Sequence, residues 1–169
     1  MSMVRTLLEW AVTKMAPPRV IYDCAGTSKY LSRWYVFGSG EGVERTGPLA
    51  IYIHKFHRGD DDKELHNHPW RWSVSLILAG GYREERRFSM FDRHWVHIRT
   101  VLPWTLNLIR GDDYHRVDLI EHDAWSLFFA GPRLGVDWGF WNRHSGETTP
   151  WREFIARKRG QAVNELQQS

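Results

Sequence analysis

Residues 3 to 15 set Val4, Leu7, Leu8 and Val12 at helical spacing, with Trp10 and Met15 at the margins. Pro17-Pro18 cannot extend the run, so the spacing predicts a short amphipathic helix that stops there. Beyond it the pattern changes. Short apolar or aromatic runs alternate with breaks rich in Gly, Asp and Pro, which predicts strands and turns. Expected strands cover 30–37, 49–56, 72–78, 82–88, 94–101, 104–110, 114–120 and 125–130. Their breaks include 38–42 (Gly-Ser-Gly-Glu-Gly), 58–62 (Arg-Gly-Asp-Asp-Asp), Gly80-Gly81, Gly111-Asp112-Asp113 and Gly131-Pro132. The run 82–88 is charged and reads as a solvated edge strand, with Glu84 and Glu85 outside. A second short helix is expected over 151–159, with a polar tail frayed from Gly160.

Many short strands at close spacing point to a sandwich or barrel and away from alternating strand-helix units. The expected fold class is all-β, in one domain over 1–169 with the barrel core at roughly 20–145. No internal repeat or low-complexity linker interrupts it.

Composition adds a bias toward strands, because ten Trp stand in 169 residues and aromatics favour pleated, half-buried surfaces. Charge is nearly balanced, with 23 basic and 20 acidic residues, which argues against nucleic acid as a partner. The basic cluster 152–159 reads as the solvated side of a helix. Cys24 is the single cysteine, so no intrachain disulfide can form, as suits a reducing compartment. Arg5, Glu9 and Lys14 interrupt the apolar N-terminus, and no run approaches the ~20 apolar residues that span a bilayer. The expectation is a cytoplasmic protein with no membrane partner.

The chemistry concentrates in Leu65-His66-Asn67-His68-Pro69-Trp70. Residues two apart on an extended chain project to one face, so His66 and His68 can share an ion. A third ligand has to come from elsewhere, and His115, heading the strand after Gly111-Asp112-Asp113, is the best candidate. The bland alternative is a His-X-His pair that only caps a loop, in a chain with nine histidines.

With these residues in place the sequence resembles the cupin superfamily, whose double-stranded β-helix is a jelly-roll barrel. His66 and His68 match the two histidines of its first motif, Gly80 or Gly81 matches the glycine closing the hairpin, and His115 matches the histidine of its second motif. The stretch from His66 to Tyr82, Gly131-Pro132-Arg133 and Trp138-Gly139-Phe140-Trp141 are similar to a bacterial and phage branch of cupins. That likeness implies a fold and brings no activity with it. Two departures stand out. The acidic ligand position of the first motif falls on Ser73 or Val74, and Gly111 precedes His115 by four residues where the family has three. The resemblance therefore implies a three-histidine site, as in the cupins that include thiol dioxygenases, with Fe(II) favoured and Zn(II), Mn(II) or Ni(II) as alternatives.

Around such a centre Tyr82 and Tyr114 are candidates for supplying a proton, and Arg99 and Arg110 for pairing with a substrate carboxylate. Arg116 has the parity opposite to His115 and should face outward. His54 is expected to face the interior and His57 the other way; of His94 and His97 at most one points inward. A carboxylate should orient each ligand imidazole, and Asp60, Asp61, Asp62 and Glu64 are near in sequence. Three function classes stay open. These are a metal-dependent dioxygenase-type oxidoreductase acting on a small molecule, a non-redox isomerase or epimerase with a histidine base, and a binding module without chemistry. Trp138 to Trp141, read as an exposed strand, is a candidate homodimer surface.

Overall fold

The computed structural model describes residues 3–38, 47–60, 62–88 and 95–168. The chain runs α1 (Met3–Val12), β1 (Arg19–Tyr22), β2 (Lys29–Phe37), β3 (Ala50–Phe56), β4 (Leu65–His66), β5 (Trp72–Ala79), β6 (Tyr82–Arg87), β7 (His97–Val101), β8 (Leu106–Arg110), β9 (Tyr114–Leu119), β10 (Ala124–Ala130), β11 (Gly139–Trp141), β12 (Thr148–Pro150) and α2 (Trp151–Gln168). The strands form two six-stranded sheets, ordered β1-β2-β3-β10-β5-β8 and β12-β11-β4-β9-β6-β7. Every pairing between named strands is antiparallel. Of the sequence expectations, residues 39–42 of the first glycine turn, Asp61 and His94 lie outside the described residues.

Period-two burial shows which face of each strand looks inward. On β5, Ser73, Ser75 and Ile77 are buried while their neighbours are only half-buried, and on β6 Tyr82, Glu84 and Arg86 alternate with more exposed residues. Directly opposed residues of an antiparallel pair share a face. The pairings Arg33↔His54, His54↔Ser126 and Ser126↔Ile77 therefore lay one row across the first sheet's inner wall, and Tyr52↔Phe128, Phe128↔Ser75 and Ser75↔Asn107 lay the next. The wall is aromatic at one end and polar in the middle.

Helix α1 covers the outer face of the first sheet. Val4, Leu8, Val12 and the following Met15 pack with Ile53 and Leu78 on Trp34, Ala79 and Trp125. Arg5, 6% exposed, pins the helix by donating from Nε to Asp123 Oδ1 at 2.8 Å and from Nη2 to Glu121 Oε2 at 2.7 Å. Leu7, expected in the apolar stripe, is exposed instead, as is Trp10 at its margin.

Four expectations need correction. The run 82–88 is not an edge: β6 lies between β9 and β7, and Glu84 is fully buried because Arg86 and Arg99 neutralise it. The strand expected from Trp104 begins at Leu106, since Trp104 takes a left-handed φ of 67° in the preceding turn. Helix α2 runs on past Gly160 to Gln168. It also covers what was read as an exposed Trp-rich strand. Phe154 is fully buried and stacks on Phe140 at 4.0 Å, Trp151 stacks on Trp138 at 5.6 Å, and Gly139, Phe140 and Trp141 are all buried. That strand is therefore covered within the chain and is not the exposed strand expected.

Candidate metal centre

His66 ends the two-residue strand β4, held between β11 and β9 by the pairings Phe140↔His66 and His66↔His115. His68 follows two residues on, where the chain leaves the sheet, and its ring stacks on Trp70 at 5.6 Å. Cross-strand register thus brings the third imidazole beside the first, and the extended backbone brings the second. The ring centroids are 5.3 Å apart for His66 and His68, 4.8 Å for His66 and His115, and 5.0 Å for His68 and His115. One ring nitrogen from each lies within 4.8 Å of the others.

The proton positions follow from the partners. His115 Nδ1 is 2.8 Å from Glu84 Oε1, and an ionised carboxylate can only accept, so Nδ1 carries the hydrogen and Nε2 is the atom that faces the other two imidazoles. His68 Nε2 lies 2.8 Å from His115 Nε2. Two nitrogens bound to one ion at ~2.1 Å and at right angles lie ~3 Å apart, so this spacing suits a shared ion. Burial pushes His66 down to about 4, with the Asp60 charge opposing. Burial, then the neighbouring His115, holds His68 well below the ordinary imidazole value. Neutral imidazoles are the form that binds metal. The residues fit a divalent ion with three nitrogen ligands.

Glu84 is the centre of a buried network. Its Oε1 accepts from Arg86 Nη2 at 2.7 Å and Asn107 Nδ2 at 3.1 Å, and its Oε2 accepts from Arg99 Nε at 2.8 Å. Burial alone would raise this carboxyl, but the His115 hydrogen bond and the Arg86 guanidinium outweigh it and hold it well below the usual carboxylate range. Arg86 also donates to Leu108 O and Asn107 Oδ1, and Arg99 to Asn107 Oδ1. The network fixes the ring of His115 from behind, the usual task of a carboxylate one step removed from a metal.

The carboxylate on His115 is therefore Glu84 of β6, and among the described residues of the acidic loop named from the sequence only Asp60 approaches a ligand ring. Asp60 Oδ2 is 3.9 Å from His66 Nδ1, too long for a hydrogen bond, and it accepts instead from Val117 N at 2.7 Å. Tyr82, Glu84 and Arg86 share a strand face by parity, but the burial of that face is set by Arg99 and Asn107 arriving from β7 and β8. Of the other candidates, Tyr82 is buried, accepts from Asn107 Nδ2 at 2.9 Å and is pushed up to about 12 by burial and then by Glu84, so it holds its proton. Arg99 is engaged with Glu84 and Asn107. Tyr114 lies on the opposite face of β9 from His115, its hydroxyl 3.2 Å from Thr148 Oγ1. Arg110 is exposed beside Asp112, on the outer parity of β8. His54 is buried and faces inward, His57 is 2.8 Å from Ser32 Oγ, and His97 is exposed.

The buried imidazoles have a consequence for stability in the metal-free protein. A histidine whose folded value lies below its unfolded 6.5 takes up protons on unfolding, so its stabilising effect is intact above pH 6.5 and is lost as pH falls toward the folded value. For His66 that window is 6.5 to about 4, worth up to about 3 kcal/mol. His54 and His68 act in the same direction. Glu84 responds only below its unfolded value near 4.5. The urea midpoint is expected to fall markedly between pH 7.5 and pH 4.5; a constant midpoint would contradict buried neutral rings.

No protein-family model matches the chain, and no curated protein matches it in sequence. Solved structures do. Recombinant oxalate oxidase in complex with glycolate superposes with a TM-score of 0.50 at 12% identity, over 66% of this chain and 56% of that one. Hydroxypropylphosphonic acid epoxidase from S. wedmorenis gives 0.48 at 9% identity, over 67% and 55%, and KdgF from Halomonas sp. gives 0.43 at 16% identity, over 61% and 81%. The chain spans little more than half the length of the oxidase and the epoxidase. At these identities the likeness speaks to fold alone. The protein is an all-β jelly roll of the cupin kind, with three imidazoles gathered between its sheets.

Proposed function

We propose that this protein is a metal-dependent oxidoreductase of dioxygenase type, acting on a small molecule, with Fe(II) held by His66, His68 and His115. The observation that carries the reading is the convergence of three imidazoles on one point, with His115 oriented by a buried, ionised Glu84. When bound, such an ion supplies Lewis acidity, open coordination positions and, as Fe(II), redox chemistry toward dioxygen.

The chain's own groups do the rest. Glu84 keeps the His115 hydrogen on Nδ1. Trp70 and Phe128 pack against His68 at 5.6 and 6.3 Å and keep water from that side. Tyr82 retains its proton within the Asn107 network. Zn(II), Mn(II) and Ni(II) suit the same nitrogens, and the ligand set alone does not choose among them. A cytoplasmic setting is part of the reading and is supported by the free Cys24 thiol.

The test is oxygen consumption by protein loaded anaerobically with Fe(II) and presented with a panel of small carboxylic acids, thiols and alcohols. Substrate-dependent uptake, abolished by chelation and restored by Fe(II), is the expected result. Turnover that survives complete metal removal would replace this reading with a non-redox isomerase, and tight ligand retention without turnover would replace it with a binding module.

A further inference from the structure

The inner wall beside the histidines carries a cation that the metal centre does not use. Arg33 lies on β2 directly opposite His54, and its Nε donates to His54 Nε2 at 3.0 Å. The guanidinium carbon is 4.8 Å above the Tyr52 ring and 5.9 Å above the Trp70 ring, and Trp70 is the residue stacked on His68. His54 stacks on Phe128 at 4.7 Å, and Phe128 in turn contacts His68. Arg33 is thus one aromatic layer away from a ligand histidine.

The other interior cations are neutralised. Arg5 pairs with Asp123 and Glu121, and Arg86 and Arg99 both pair with Glu84. Among the described residues, no carboxylate reaches Arg33. A guanidinium offers five N–H donors, and the one on Nε is taken by His54, which leaves the fork of Nη1 and Nη2. An unmatched charge among aromatic rings is costly, and an arriving anion relieves that cost.

The same wall holds further polar atoms without partners. Trp70 Nε1, Ser73 Oγ and Ser126 Oγ are buried and make no hydrogen bond among the described residues. Ser126 is the cross-strand neighbour of His54, and Ser73 is opposite Ala130 two positions along β10 from Phe128. An indole N–H can only donate, and two hydroxyls can donate or accept, so these atoms suit an oxygen-bearing guest better than an apolar one.

We propose that Arg33 anchors the carboxylate of a small substrate, with the adjacent Trp70 Nε1 donating to a further oxygen of the guest. One unmatched cation with one in-plane fork fits a singly charged carboxylate, which accepts two parallel N–H bonds. A phosphate dianion would bring a second charge, for which the wall has no second unpaired cation among the described residues. His54 is a positioning residue: its neutral ring accepts from Arg33 Nε and so fixes the plane of the guanidinium fork. This assignment gives a substrate class to the proposed centre and rests on that reading, but the anchor itself needs no metal.

The test is a titration of propionate, propionamide and inorganic phosphate into metal-free and Fe(II)-loaded protein, read by tryptophan fluorescence and by thermal shift. So small a ligand is expected to bind in the millimolar range. Propionate is expected to saturate in both forms of the protein, with propionamide and phosphate at least tenfold weaker. Arg33→Gln should abolish the preference for propionate over propionamide, and Arg33→Lys should keep only part of it, because a point charge replaces the fork. Equal affinities for propionate and propionamide in the unaltered protein would overturn the proposal even if the variants failed to fold, as would tighter binding of phosphate. Loss of metal binding with propionate binding intact would count against the metal centre alone.

Discussion

Protein purified with about one equivalent of divalent metal is expected to lose nearly all of it when His66 and His68 are both replaced by alanine. A zinc-type site of four ligands is worth roughly 10–16 kcal/mol, so each ligand carries a few kcal/mol, or two to three powers of ten in affinity. Removing two leaves His115 with no nearby imidazole, since its closest ring neighbours are those two. The fold should tolerate the change better than the site does. Neither ring is fully enclosed, and the strand pairing of residue 66 runs through its backbone. Metal content by elemental analysis, beside circular dichroism of the same samples, checks this. Equal metal in the two proteins would remove the pair from the site and the functional reading with it.

The sequence made part of this site legible and hid the rest, for identifiable reasons. His66 and His68 could be paired because a two-residue spacing on extended chain fixes a shared face whatever the surrounding fold. His115 was reachable through its turn. Glu84 was not, because its burial depends on Arg99 arriving from β7 and Asn107 from β8, pairings that no local pattern encodes. A strand reading Tyr-Arg-Glu-Glu-Arg-Arg looks solvated until its partners are known.

Arg33 was hidden in the same way. Its role follows from the register that sets it opposite His54, and a one-residue slip of β2 would turn it outward. The covered strand 138–141 shows the complementary limit. The apolar residues were correctly seen, but what covers them is the first turn of α2, through Trp151 and Phe154, and no pattern within either element announces that they dock. Alternation along single strands was therefore readable, and relations between strands were not.

Glu84 is where stability and metal binding should separate. Glu84→Leu leaves Arg86, 2% exposed, without its carboxylate and removes the acceptor for His115 Nδ1. Breaking a buried pair by deleting one member costs about 3–5 kcal/mol. For a chain of this size that is roughly 6–20 °C in melting temperature. The variant should also bind metal weakly, but it cannot tell orientation from general damage. Glu84→Gln can. The amide has nearly the same shape, and its oxygen still accepts from one donor, so the loss of stability should be clearly smaller. What changes is the charge behind His115, and with it the basicity and orientation of Nε2. Replacing a residue in this supporting position typically weakens metal binding 10–100-fold. The expected result is a Gln variant that melts well above the Leu variant yet shows at least a tenfold higher metal dissociation constant than the unaltered protein by chelator competition. A Gln variant with unchanged affinity would make Glu84 only the counter-charge for Arg86 and Arg99. His115 would then owe its orientation to cross-strand packing against His66.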